Sequence, residues 1–391
     1  MPSTVFQTIL GGPFLTGYLL YLGASSSEVG FVLAVTTLVN VAQIIIAFLI
    51  QRLQNRKWTL VVFVALHRFL WCATGLIPFL FDREWWIPAF IMLYISAFLA
   101  NTVVGVLWTS LISDIVPAGV RGRYFGIRNT FLNALGSLTL FVGGKILDGN
   151  TESKGFMILF IIAFIFAAWN VMMFLFYPDK PFERSAETKF MPMVKRPLRD
   201  QSFMKASWFL AAWLFLQTLV VPLYSYVMLD LMNINYSTVS LFTVVQTVAM
   251  MGSFYVWGNL NARFSNKRLL YWTLPIIAAS CLSWGLLSIM PVIPVLLLSH
   301  ALLGVGVGGF NQLAFNFIIG DTPKSERPMF IGMYSALTGM TSFLGPLAGG
   351  WIYKLIVDLP IWMQQYGLQT AVGAVMVGVA LTYGRSILRN S

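Results

Sequence analysis

Residues 114–126 read DIVPAGVRGRYFG, and residues 321–332 read DTPKSERPMFIG. Both stretches follow a long apolar run and share the pattern P-x-x-x-R-x-x-[YF]-x-G, with an acidic residue ahead of the proline. Another matching pair, residues 49–57 and 260–268, follows two other apolar runs, and each member ends in two basic residues. From the proline onward the first two stretches are offset by 206 residues, and the second pair is offset by 211. The chain is therefore predicted to contain two copies of one structural unit.

The composition is that of a membrane protein. The chain has 391 residues, of which 58% are hydrophobic and 10% charged, whereas a soluble domain carries about 25% charged residues. Soluble, disordered and collagen-like classes are therefore excluded. The net charge of +11 comes mainly from short loops between apolar runs, so no nucleic-acid partner is expected. Two cysteines and two histidines leave little material for a metal site, and no cofactor is expected.

The apolar runs are long enough to cross a bilayer, which takes about 20 residues in a helix. Because a backbone in lipid must satisfy its own hydrogen bonds, each run is predicted to be helical. We number these runs as spans 1 to 12; in order they cover residues 5–22, 29–50, 58–81, 85–111, 124–147, 155–176, 206–231, 237–260, 269–290, 292–319, 330–355 and 363–384. The predicted fold class is an all-α membrane protein whose twelve transmembrane helices form two pseudo-symmetric six-helix bundles.

The loops give the orientation and the domain boundaries. Loops after even-numbered spans, together with the termini, hold 20 of the 25 basic residues. Positive loops stay in the cytoplasm, so both termini are predicted to be cytoplasmic, in a multi-pass protein of the plasma or inner membrane. The proline-containing loop 177–205 predicts a cytoplasmic linker between an N-terminal bundle, 1–176, and a C-terminal bundle, 206–391. Span 1 begins abruptly, and the repeat predicts that its cytoplasmic start is missing from the chain.

The span count, the central linker and the basic turns after spans 2 and 8 resemble the major facilitator superfamily over the whole chain. The family's loop signature is roughly G-x-L-x-D-R-x-G-R-R. Arg52 and Arg263 match its first arginine in the two copies, and neither copy keeps the acid, where the first has Gln51. The resemblance implies a carrier that works by alternating access, with two bundles rocking about a central site. It also implies gating roles for Arg52 and Arg263.

Arg68 is a charged residue deep within span 3, where an ionised group has to face a cavity or a partner. Arginine keeps its proton in practice, so the side chain must be paired or hydrated. Three interpretations stay open: a binding group for an anionic substrate, a switch that pairs differently in the two transport states, or a structural contact to neighbouring spans. Other polar residues predict either a cavity lining or interhelical hydrogen bonds: Asn101, Gln217, Asn311, Gln312 and Asn316. The glycines in residues 304–309 are predicted to be packing positions.

Asp114 and Asp321 end spans 4 and 10 on the cytoplasmic side, shortly before Arg121 and Arg327. They predict a latch between the bundles that breaks during transport, to which Arg128 is also assigned. The alternative is that each aspartate caps a local turn or helix start.

His67 and His300 are candidates for carrying a coupling proton, because the unperturbed pKa of histidine lies near neutrality. A buried interhelical histidine is the alternative for each. No Asp or Glu lies in the middle of a span, so proton symport through a carboxylate is not supported; uniport, exchange and coupling through histidine stay open.

Breaks are predicted in spans 1, 7 and 11 at Pro13, Pro222 and Pro346.

The predicted function is facilitative or secondary-active transport of a small anionic or amphiphilic organic solute, without enzymatic catalysis. The sequence has no phosphate-binding loop of the G-x-x-x-x-G-K-[ST] kind, so direct drive by ATP is not expected. Multidrug efflux is the alternative. A transport-dead sensor or scaffold and a membrane-embedded enzyme are the rival classes. The expected partners are the lipid bilayer and a small-molecule substrate, with the protein itself a monomer.

Overall fold

The computed structural model describes residues 1–41, 55–115, 118–178, 197–261, 263–320 and 327–389. Within these ranges the secondary structure is helical, without strands. The first half forms the helices Pro2–Leu10, Gly12–Tyr21, Ser26–Val41, Arg56–Ala73, Ile77–Leu80, Trp86–Ile115, Ala118–Asp148 and Glu152–Leu175. The second half forms the helices Gln201–Val220, Tyr224–Tyr226, Tyr236–Asn261, Asn266–Leu282, Val292–Gly320, Arg327–Leu355 and Leu368–Val379. Short 3-10 or π segments extend several of them.

Each predicted span contains a helix. In the described ranges, eight helices are long and apolar enough to cross a bilayer: Lys57–Leu80, Arg83–Gly105, Glu152–Leu175, Gln201–Leu231, Tyr236–Asn261, Asn266–Ser288, Val292–Ala314 and Met363–Leu388. They correspond to spans 3, 4, 6, 7, 8, 9, 10 and 12. Span 1 is split into two helices, span 2 lies partly outside the described residues, and spans 5 and 11 are helices of 31 and 29 residues. The predicted all-α membrane fold class is confirmed.

The outward-facing surface of span 6 is apolar along its length. Its exposed large side chains are Met157, Ile161, Phe164, Ile165, Trp169, Met172 and Met173. Soluble monomers rarely expose a continuous apolar strip of this kind, because water would order around it. A hydrocarbon environment removes that cost, so this face of the span is suited to lipid.

Span 1 breaks at a glycine pair, as predicted. The first helix ends at Leu10, and Gly12 has φ +52°, a left-handed conformation that glycine adopts without a Cβ clash. Pro13 then lies in the first turn of Gly12–Tyr21, where its missing N–H leaves no lost hydrogen bond. The interruption therefore follows from three consecutive residues with special backbone properties.

The other two predicted breaks have different outcomes. Span 7 leaves its α-helix at Val220, passes through the 3-10 turn Val221–Leu223 around Pro222, and ends in a π-helical turn, which confirms the prediction. The prediction for span 11 is wrong, because its helix Arg327–Leu355 continues through Pro346. Membrane helices tolerate proline where neighbouring helices and local adjustments satisfy the freed backbone groups.

The glycines of residues 304–309 are packing positions, as predicted. A Cβ atom at Gly304 would overlap the backbone oxygen of Gln246 in span 8, and one at Gly309 would overlap the ring of Trp257. Glycine lets helices approach this closely, which increases van der Waals contact where no hydrophobic driving force acts between helices.

The chain packs as two compact units. The first unit consists of Met1–Thr188 with Ile234–Ser240, and the second of Lys189–Asn233 with Leu241–Ser391. The first unit thus includes the beginning of span 8. The boundaries 1–176, 177–205 and 206–391 stay a prediction, and most of the predicted linker lies outside the described residues.

Candidate functional site

Arg68 lies in the interior of the first unit, on the helix Arg56–Ala73 of span 3. Its side chain is only 4% exposed. Its Nε donates a hydrogen bond to Oδ1 of Asn170 in span 6 over 3.1 Å. Its guanidinium carbon lies 5.0 Å from the ring centroid of Phe6 in span 1, a distance at which a cation is attracted to the ring face. Three spans therefore position this one cation.

The hydrogen bonding of Arg68 is incomplete. Its Nη1 is buried and has no hydrogen-bond partner, and among the described residues no carboxylate forms an ion pair with it. A buried charge is costly unless it is paired and hydrogen-bonded. The amide oxygen of Asn170 and the ring of Phe6 compensate that cost only partly, and the substrate-binding role of Arg68 stays a prediction.

His67 points to a different side of the helix, as expected for consecutive residues about 100° apart. Its Nδ1 donates to the carbonyl oxygen of Ala97 in span 4 over 2.9 Å, which leaves Nε2 as the acceptor nitrogen of the neutral ring. That Nε2 is buried without a partner. The ring packs against Phe6, Trp71 and Phe98. His67 and Arg68 thus share one aromatic neighbour, Phe6, and the coupling role of His67 stays a prediction.

A cavity of about 420 Å³ adjoins this cluster inside the first unit. Asn170, which accepts from Arg68, lines it together with Trp108, Phe131, Phe174 and Tyr177 among others. Arg128 also lines this cavity, and its guanidinium carbon lies 4.9 Å from the ring centroid of Trp108. The assignment of Arg128 to a latch stays a prediction.

The other predicted latch residues are only partly described. Arg52 and Asp321 lie outside the described residues. Asp114, Arg121 and Arg327 lie in helices, but their side chains are outside the description. Arg263 is exposed on the turn after span 8. The latch and gating roles therefore stay predictions.

The polar residues predicted to line a cavity have unequal environments. Gln217 is buried and Gln312 half-buried, and the Oε1 of each has no hydrogen-bond partner. Asn311 is exposed and Asn101 half-buried. The side chain of Asn316 lies outside the description. An unpartnered amide oxygen keeps an acceptor available for a ligand, so Gln217 and Gln312 remain the stronger candidates of this group.

His300 lies in an apolar, aromatic environment in the second unit. Its Nδ1 donates to the carbonyl oxygen of Leu296 one turn earlier, over 2.8 Å. The ring stacks on Phe242, with 5.5 Å between the centroids, and lies near Tyr224. This is the environment of an interhelical packing histidine, the alternative interpretation, and its coupling role stays a prediction.

Sequence reasoning missed two of the site's residues, Asn170 and Phe6. Asn170 is the only amide side chain of span 6, and a lone amide within an apolar run could have been singled out. Its partner Arg68 could not have been identified from the sequence, because nothing in the sequence says which neighbouring span Asn170 faces. Phe6 is one of 32 phenylalanines, and no sequence signal distinguishes it from those that face lipid.

Comparisons with known proteins agree with this architecture. The chain is 26% identical over 148 residues to Multidrug resistance protein 3 of Bacillus subtilis (strain 168), a match that covers 38% of this chain and 28% of that relative. It is 30% identical over 113 residues to Efflux pump aflT of Aspergillus parasiticus, covering 27% of this chain and 21% of the relative. The chain therefore spans about a quarter of the length of these curated relatives.

Solved structures match over nearly the whole chain. A mutant form of the nucleoside transporter NupG has a TM-score of 0.77 at 15% identity, covering 98% of this chain and 97% of that one. The D-xylose-proton symporter has a TM-score of 0.73 at 15% identity, with the same coverage. At this identity the likeness shows the fold, which has twelve helices. The sequence model of the MFS_1 like family matches residues 6–363. The chain therefore belongs to the MFS_1 like family, within the major facilitator superfamily.

Proposed function

We propose that this chain carries a small organic solute across a cell membrane by alternating access, with no enzymatic step. Family membership over residues 6–363 supports the proposal, as does a fold shared with a nucleoside transporter and a D-xylose-proton symporter over nearly the full length. In this fold, transport follows from two bundles that rock about a site near the bilayer midplane.

The proposed setting is the plasma or inner membrane, with both termini in the cytoplasm. The distribution of 20 of the 25 basic residues on one face supports this orientation. We further propose that the carrier acts as a monomer and binds no nucleic acid, since its basic residues lie in short loops beside the lipid headgroups.

The buried guanidinium of Arg68 is the observation that carries the substrate class. Its Nη1 is buried without a partner, and within the described residues its side chain donates a hydrogen bond only to the neutral Asn170. A carboxylate or phosphate that accepted from Nη1 would form a charge-assisted hydrogen bond, roughly twice as strong as a neutral one. The proposed substrate is therefore a small organic anion, or an amphiphile with an anionic end. Asn101, Gln217, Asn311, Gln312 and Asn316 are proposed to contact its polar groups.

Flux measurements test this function. The protein is reconstituted in liposomes loaded with unlabelled solute, and uptake of labelled monocarboxylates, dicarboxylates, phosphorylated sugars, nucleosides and free sugars is measured against empty liposomes. Counterflow of at least one organic anion, saturable and competed by its own unlabelled form, is the expected result. Counterflow confined to neutral nucleosides or sugars would overturn the anionic class but keep the carrier, and no counterflow with the panel would count against transport.

Asn170→Asp is expected to weaken binding of the anionic solute by at least about tenfold. The new carboxylate would lie 3.1 Å from Nε of Arg68 and neutralise the guanidinium that the solute needs. Its attraction to the already buried guanidinium offsets the cost of burying the new carboxylate, so the melting temperature should stay close to that of the native chain. Equilibrium binding to the purified protein measures the affinity. Asn150→Asp, on an exposed side chain, is the matched control and should bind as the native chain does. Unchanged affinity in Asn170→Asp would separate Arg68 from the solute.

Multidrug efflux is the second candidate, favoured by the similarity to Multidrug resistance protein 3 of Bacillus subtilis. Lipophilic cations and neutral drugs discriminate the two functions. A multidrug carrier would reduce their accumulation in cells that express the chain, and Arg68 would not be needed for that effect, because a buried cation does not attract cations.

A further inference from the structure

From its position and bonding, we infer that Asp148 is a gating residue, which holds the beginning of span 8 against the first unit in one transport state and releases it in the other. The inference rests on the proposed function, because a latch of this kind matters only to a carrier that alternates. It concerns the end of span 5 and the beginning of span 8, on the face opposite the basic loops. It is separate from the cytoplasmic latch predicted around Asp114 and Asp321.

Asp148 caps a helix that is distant in sequence. One carboxylate oxygen accepts from the backbone N–H of Tyr236 over 2.9 Å, and the other accepts from the N–H of Ser237 over 3.0 Å. These are the first two residues of the helix Tyr236–Asn261. Initial N–H groups have no partner within their own helix, and a negative charge there also interacts favourably with the helix dipole. The next N–H, on Thr238, donates to the side chain of Asn235, so Asp148 supplies the acceptors that the local cap does not.

The packing around this cap is close. A Cβ atom at Gly144, one turn before Asp148, would lie 2.8 Å from Cα of Ser237. A Cβ at Gly17 in span 1 would overlap the ring of Tyr236. Ser240, on the next turn of span 8, is fully buried at 0% exposure. The backbone of span 8 therefore begins in direct contact with spans 1 and 5.

The boundary between the two units falls within the helix that Asp148 caps. Residues Ile234–Ser240 pack with the first unit, whereas Leu241 onward packs with the second, although the helix Tyr236–Asn261 is continuous across the boundary. A continuous helix is stiff. If the second unit moves during transport, its helix takes residues 236–240 along, and the two hydrogen bonds to Asp148 break. Asp148 is exposed, so water can replace the lost partners and the break is reversible.

Labelling of a buried cysteine tests the inference without needing a substrate. Ser240→Cys is a nearly isosteric change at a fully buried position, and Cys72 and Cys281 are buried and give little background. A membrane-impermeant maleimide is added to right-side-out and to inverted vesicles, and the labelling rate at position 240 is measured. Asp148→Asn removes the charge and turns an N–H donor towards one backbone N–H, so one hydrogen bond is lost and the other weakened. We expect labelling from the outer face to rise by about tenfold, which corresponds to one charge-assisted hydrogen bond.

Glu152→Gln is the matched control. Glu152 is an exposed acid in the first turn of the next helix, and its charge also acts on Tyr236. The variant therefore loses a charge at the same contact but keeps both hydrogen bonds of Asp148. Its labelling rate should equal that of the Ser240→Cys parent. Equal rises in Glu152→Gln and Asp148→Asn would replace the latch with a general charge effect. No rise in Asp148→Asn would overturn it, and a rise only in inverted vesicles would reverse the assigned face.

Gly144→Ala perturbs the same contact by steric overlap and keeps Asp148 intact. Its added methyl group presses against the backbone of Ser237, so labelling at position 240 should rise here as well. This variant decides the question if Asp148→Asn does not fold. The readout also separates the two proposals. A labelling response in a protein without flux would keep the contact made by Asp148 but overturn the carrier, and normal flux with unresponsive labelling would keep the carrier but overturn the latch.

Discussion

Arg68→Met is expected to reduce the transport rate of an organic anion by about 100-fold or more, while the protein stays at least as stable as the native chain. The loss of transport follows because the solute would lose a charge-assisted contact within a desolvated site, where such contacts are worth about 2–5 kcal/mol. The retained stability follows because Arg68 is buried at 4% exposure without an ion pair among the described residues. Replacing buried charges with well-packed apolar side chains is often neutral or stabilising.

Counterflow in liposomes and thermal unfolding in detergent measure the two parts of this prediction. Arg68→Lys keeps the charge but loses the planar fork of donors, so it should retain part of the transport. Arg83→Met, at an exposed arginine before span 4, is the matched control and should transport normally. A large fall in the melting temperature of Arg68→Met would instead assign Arg68 to the structural interpretation.

Gly349→Val is expected to destabilise the protein by about 3 kcal/mol or more. A Cβ atom at Gly349 in span 11 would overlap the backbone oxygen of Leu219 in span 7. A backbone atom in a packed helix cannot rotate away, so the two spans would have to separate. The melting temperature should fall by about 10 °C.

Gly378→Ala in span 12 is the control for this second prediction. A Cβ atom there would meet nothing within 4 Å, and alanine favours a helix over glycine by up to about 1 kcal/mol. Its melting temperature should therefore equal or exceed that of the native chain. A Gly349→Val protein as stable as Gly378→Ala would mean that spans 7 and 11 are packed less closely than this structure places them.

The sequence predicted the helices well because lipid imposes a simple requirement. An apolar run long enough to cross the bilayer has to be helical, whatever surrounds it. Breaks are less simple to predict. Gly12 and Pro13 end a helix by their own backbone properties, whereas Pro346 lies inside the continuous helix Arg327–Leu355 of span 11, which approaches span 7 closely. The presence of Pro346 alone therefore could not decide the outcome.

The site was only partly predictable for a related reason. Arg68 was found because a charge deep in a span is rare and costly. Its partners Asn170 and Phe6 belong to spans 6 and 1, more than 60 residues away on either side, and one sequence contains no information on which faces meet. No sequence signal singles out Asp148, because the backbone N–H groups that it caps lie 88 and 89 residues away in the chain.

The break in span 1 also has an electrical consequence. The backbone of an unbroken helix would carry almost no net partial charge at this depth in the membrane. Because the first helix stops at Leu10 and the second starts at Gly12, a terminus with partial negative charge and one with partial positive charge meet within the span. The carbonyl and amide groups at these two helix ends can hydrogen-bond to water, or to the polar end of a passing molecule, inside the membrane. No ionisable side chain is needed for this.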